Sequence, residues 1–152
     1  MNMTSSVLVK SSLESAWAFL ADESNAARWD RSVARAELMS PPPPLRVGSI
    51  VRTIAPSGMK QEFRVDEISS PHVLRFSLVR SSLFRTAQLT FTLTPVEDGV
   101  CITHQISVAF RFPWAMLVPV LALINKRALA ADLDSLRRAI DEGHDLTARK
   151  PS

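Results

Sequence analysis

The sequence predicts an α+β fold: a seven-stranded antiparallel sheet, two short helices after its first strand, and one long helix at the C-terminal end. Three observations predict it. The stretch Phe110 to Ile124 is apolar apart from Arg111 and runs into an amphipathic segment, Arg127 to Ile140. Between Val47 and Phe110, β-rich or alternating segments follow one another with short turn-forming spacers between them. Ahead of these, a brief strand pattern gives way at once to helix-start signals.

The chain has 152 residues, of which 46% are hydrophobic and 22% charged, well inside the folded globular range. One core suffices for this length. We therefore expect a single domain over residues 1–143, with 144–152 as a flexible C-terminal tail.

Thr4 to Lys10 reads as the first strand, and Ser11 to Glu14 offers the Ser-x-x-Glu spacing of a capping box. Leu13, Ala16, Trp17 and Leu20 recur at helical spacing and give the first helix one apolar face. Asp22 or Ser24 can cap a second short helix that ends near Trp29 and Asp30. Val33 to Met39 forms the next strand, and Pro41 to Pro44, which cannot donate to a ladder, forms a stiff connection at an edge.

Strands then follow at Val47–Ile54, Lys60–Ile68, Val73–Val79, Thr86–Thr94 and Val100–Phe110. Their spacers, such as Ala55 to Gly58 and Pro95 to Gly99, are turn chemistry. Connections this short require antiparallel neighbours, because parallel ones need a crossover of a dozen or more residues.

Composition excludes several function classes. Net charge is +3 and the basic residues are scattered, which argues against nucleic acid. Pro113 to Ile124 is shorter than the ~18–20 residues that span a bilayer, so no transmembrane segment is expected. No basic stretch with an apolar follow-on opens the chain, and Cys101 has no partner for a disulfide or metal site; both readings favour the cytoplasm. No phosphate loop, nucleophile elbow or metal spacing is present, so no metal and no cofactor are expected.

Alternation assigns faces. Val100, Ile102, Ile106, Val108 and Phe110 share one parity, with His104 in the same dry register. Ala87, Leu89, Phe91 and Leu93 share another, in phase with Arg85, and Leu74, Phe76 and Leu78 are in phase with Arg80. A seven-stranded sheet presents more apolar area than one helix covers, so the space is filled either by the phenylalanines or by a ligand.

The element order, Trp17, the pair Trp29-Asp30, Val47-Gly48 opening a strand, and Ile68 to Phe76 with Pro71 at its turn resemble the START-like (SRPBCC) superfamily, in particular its polyketide cyclase/dehydrase and lipid-transport group. The resemblance runs from about Ser5 to Gly143. It implies a helix-grip fold, in which the curved sheet wraps around the long helix, and a cavity for an apolar or aromatic small molecule. Carriers, sensors and enzymes share that fold, so it does not choose among them.

The expected partner is thus a hydrophobic small molecule: a lipid, an isoprenoid or an aromatic polyketide. Its expected contacts are Phe63, Phe76, Leu78, Leu89, Phe91, His104, Ile106, Val108 and Phe110 on the sheet, with Trp114, Leu117 and Leu121 on the helix side. His104 reads either as a core histidine bonded to backbone or a threonine hydroxyl, or as a ligand or proton-transfer group. A cyclase or dehydratase would use His104 as acid/base with Arg85 as oxyanion partner. The segment Val79 to Arg85 is expected as a loop gating the apolar helix start. If that start stays uncovered, a homodimer, an interaction module or a transient membrane-surface contact follows.

Overall fold

The computed structural model describes residues 1–113, 116 and 118–148, with backbone alone at 118–125 and 144–148. The elements are β1 (Asn2–Val9), α1 (Leu13–Ala21), a 3₁₀ turn (Glu23–Asn25), α2 (Ala26–Trp29), β2 (Arg35–Ser40), β3 (Ile50–Ile54), β4 (Lys60–Ser69), β5 (Val73–Arg80), β6 (Phe84–Val96), β7 (Gly99–Phe110) and α3 (Val118–Ala148). The strands form one antiparallel sheet in the order β1-β7-β6-β5-β4-β3-β2. This is the architecture that the sequence predicts.

Helix α1 starts one residue later than the capping-box spacing implies. Ser12 is its N-cap and accepts from the Ser15 N–H, while the Ser11 hydroxyl turns back to donate to the Ser12 carbonyl. Asp22 caps the 3₁₀ turn by accepting from the Ser24 N–H. At the other end of the chain, α3 continues through Gly143 to Ala148, five residues beyond the expected boundary of the domain.

Bulges bend the sheet. The register slips between Leu38 and Ser40, twice along β4–β5, and between Phe84 and Thr86 on β6. Each bulge kinks its strand and increases local twist, which curves the sheet toward α3. At the β6–β7 turn Gly99 adopts φ +155°, and a Cβ there would collide with the Val9 carbonyl oxygen. Only glycine permits that close approach of β1 to the hairpin.

The concave face is dry and the convex face charged. Leu133, Leu136 and Ile140, one stripe of α3, pack with Val9, Leu93, Val100 and Ile102 into a solid core. A second cluster, Phe63, Ala87, Val108 and Phe110, lies along the sheet toward the other end of β7. On the convex side arginines meet acids: Arg52 with Glu62 at 2.8 Å, Arg75 with Glu67 at 2.7 Å, and Arg64 with Asp66 at 3.0 Å.

Candidate functional site

Beyond the first cluster, over the side chains of the second, the sheet and α3 enclose a cavity of about 620 Å³. That volume lies inside the usual ~300–1,000 Å³ range of small-molecule sites. The floor is the concave sheet, and the sequence-predicted residues Phe63, Phe76, Leu89 and Phe91 line it from β4, β5 and β6. His104, Ile106, Val108 and Phe110 line it from β7, while Ala128, Leu129 and Asp132 form its α3 wall.

His104 marks the border between core and cavity. One pleat behind it is the fully buried Ile102; one pleat ahead is Ile106, which lines the open space. The imidazole is only 4% exposed and stacks on Phe91, with ring centroids 4.0 Å apart and planes inclined 13°. Trp29 approaches both rings edge-on, at 5.8 Å from Phe91 and 6.2 Å from His104. Ser5 is its cross-strand partner on β1, yet among the described residues neither ring nitrogen has a hydrogen-bond partner. The core histidine bonded to backbone or to threonine is therefore not what the structure contains. Burial pushes the imidazole pKa down to about 3, so the ring is neutral and offers one donor and one acceptor.

Four carboxylates line the same cavity, and two of them, Asp30 and Asp132, are close enough for their charges to interact. Asp22 and Glu23 come from the 3₁₀ turn, Asp30 from the end of α2, and Asp132 from α3. Asp30 Oδ1 accepts from the Ser32 N–H at 2.8 Å and from its hydroxyl at 2.6 Å, and Asp132 Oδ1 accepts from the Arg31 N–H at 3.3 Å. Burial raises the Asp30 pKa. Burial, joined by the nearby Asp30 charge, raises that of Asp132 to about 6. Asp30 thus plays the turn role that its position suggests and also faces the cavity. Nothing in the apolar periodicity singles these acids out.

Three expectations need correction. Arg85 is exposed and does not line the cavity: it falls at the Phe84/Thr86 bulge, which removes it from the phase of Ala87, Leu89 and Phe91. It therefore cannot serve His104 as an oxyanion partner. Leu78 packs in the second cluster without reaching the cavity. Val79 to Arg85 is not a loop, since β5 runs to Arg80 and β6 begins at Phe84; only Ser81 to Leu83 turns, and Leu83 and Phe84 are themselves wall residues. The Ser81 hydroxyl fixes that turn by accepting from the Leu83 and Phe84 N–H groups at 3.1 and 3.2 Å.

Trp114 and Leu117 lie outside the described residues, as does the Leu121 side chain, and with them most of the apolar helix start. Phe112 and Met116 beside it are 82% and 74% exposed. Among the described residues no helix is long and apolar enough to cross a membrane.

Over residues 1–141 the sequence matches the family described as polyketide cyclase/dehydrase and lipid transport. The chain belongs to that family. Its fold recurs in a START superfamily protein of Mycobacterium smegmatis, at 16% identity and TM-score 0.76, with 93% of this chain and 97% of that one covered. A Thermus thermophilus protein is similar at 12% identity and TM-score 0.76, over 99% and 100% of the two chains. The Zhui aromatase/cyclase from a Streptomyces species matches at 12% identity and TM-score 0.75, over 93% of each chain. No curated protein matches the sequence. Within this polyketide cyclase/dehydrase and lipid-transport family, then, the identity of the chain's cavity has to be read from its own residues.

Proposed function

We propose that this chain binds a hydrophobic, ring-containing small molecule in the cavity between sheet and α3, as a carrier or sensor in the cytoplasm. The observation that carries the reading is His104: a buried imidazole with both nitrogens unpartnered among the described residues, on the wall of a cavity about 620 Å³ in volume. A buried polar group without a partner costs roughly 1–3 kcal/mol, and a ligand that displaces the side chains covering a ring nitrogen and hydrogen-bonds to it recovers that loss. Phe91, Phe76 and Phe63 supply flat apolar surface for a ring body. The lone free cysteine, Cys101, is in keeping with a reducing compartment.

A second reading is a cyclase or dehydratase, favoured by a neutral imidazole that shares its cavity with two carboxyl groups of raised pKa. The likeness to an aromatase/cyclase supports the fold for that chemistry, and Arg85 has no part in it. Native mass spectrometry of protein gently purified from its own host tests the first reading. A stoichiometric apolar adduct is the expected result, and an empty chain that also takes up no apolar probe overturns it. His104→Ala separates the two readings: lost binding with no turnover to lose marks a carrier, while retained binding with abolished turnover marks an enzyme.

A further inference from the structure

The charged side chains that line the cavity are all acidic. Asp22, Glu23, Asp30 and Asp132 reach it, whereas no lysine or arginine side chain does among the described residues. Among those residues none of the four acids takes part in a salt bridge, although the arginines of the convex face pair with Glu62, Asp66 and Glu67. Asp30 and Asp132 each use Oδ1 for a backbone or serine donor, and Oδ2 of each has no donor among the described residues.

The acids are not alone in pointing to a ligand. His104, only 4% exposed and unpartnered at both nitrogens among the described residues, lines the same cavity and meets Trp29, the residue before Asp30, edge-on at 6.2 Å. As a neutral ring it adds no positive charge to hold an anion. Met1 also lines the cavity, on the side of the second cluster, where its ammonium donates to the Val108 carbonyl at 2.7 Å. Arg31 lies beside Asp132, donates its main-chain N–H to it, and offsets part of the Asp30 repulsion through its guanidinium charge.

Building on the cavity reading above, we propose that the ligand is an organic cation: a ring-containing apolar body stacked along Phe91 and His104, with a protonated amine set between Asp30 and Asp132. The cation relieves the repulsion between the two carboxylates and fills their open Oδ2 positions. A fatty acid or other anionic amphiphile that sets its carboxylate in the amine's place would face Asp30 and Asp132, and the cavity disfavours it there.

The test uses three fluorescent probes that share one ring system: 1-pyrenemethylamine, 1-pyrenemethanol and 1-pyrenecarboxylate. Each is titrated at neutral pH and read by anisotropy. The amine is expected to bind at least tenfold more tightly than the carboxylate and measurably more tightly than the alcohol. D30N and D132N, which keep an acceptor for Ser32 and Arg31, each shrink the amine preference severalfold. D134N, which removes a charge outside the cavity, leaves it unchanged. Equal affinity for all three probes, or tightest binding of the carboxylate, overturns the proposal while leaving the cavity reading intact. Binding of none of the three overturns both.

Discussion

His104 lies flat against Phe91, with ring centroids 4.0 Å apart, and uses neither of its nitrogens in that contact. An imidazole held in this way is positioned by packing and left chemically unspent. Replacing it with an apolar residue removes two unpaired polar atoms from the interior. We predict that H104L stabilises the ligand-free protein by roughly 1–3 kcal/mol and weakens ligand capture. Urea unfolding of the stripped protein checks the first half; a destabilised variant would show that His104 is bonded in solution.

The same residue sets an acid limb. Its folded pKa of about 3 lies below the unfolded 6.5, so the unfolded chain takes up the proton first as pH falls. Stability from this residue is complete above pH 6.5 and is lost toward pH 3, with a limiting slope of about 1.4 kcal/mol per pH unit. Denaturation midpoints followed from neutral pH downward should fall in the parent and flatten in H104L.

Asp132 works in the opposite sense. Its carboxyl is raised to about 6 in the folded chain against 3.8 unfolded, so the folded state holds the proton more tightly. The stability linked to it is complete below pH 3.8 and is lost as pH rises through about 6. D132N should therefore be more stable than the parent at neutral pH and equal to it near the unfolded value. The ordering of the two melting curves at those two pH values decides the point.

Core and cavity walls should respond differently to truncation. Leu136 is fully buried in the solid cluster, and L136A is expected to cost about 2–5 kcal/mol. Leu89 faces the open cavity and is half-buried, so L89A should cost less than half as much while altering probe affinity. Equal losses at the two sites would mean that the cavity is closed in solution.

Gly99 allows no side chain, since a Cβ would run into the Val9 carbonyl oxygen and the backbone adopts φ +155°. G99A should cost roughly 2 kcal/mol or more and separate β1 from the β6–β7 hairpin. Amide exchange at Val9 and Val100, which are paired across β1 and β7, would report that separation directly.

Much of this was legible in the sequence, for physical reasons. Period-two alternation is a local property, so Ile102, His104, Ile106 and Val108 fall on the dry face of β7 as their parity predicts. Arg85 does not, because a bulge is a property of two strands and leaves little trace in one. The acids of the cavity were illegible for a related reason. Asp30 and Asp132 stand about a hundred residues apart and become neighbours only when α2 packs near α3. A search for apolar periodicity passes over both. The helix N-cap was one residue off because Ser11 and Ser12 are chemically equivalent and only backbone geometry chooses between them.

The bulge on β6 has a consequence for the shape of the wall. Phe84 pairs with Phe110 and Thr86 with Ala109, which leaves Arg85 as a supernumerary residue opposite nothing. Deleting it would restore an unbroken ladder without moving any wall side chain to the other face. The strand would straighten, and Leu83 and Phe84 would swing with it. The bore of the cavity is thus set partly by a head count along one strand, and a single-residue deletion becomes a dial for the size of guest it admits.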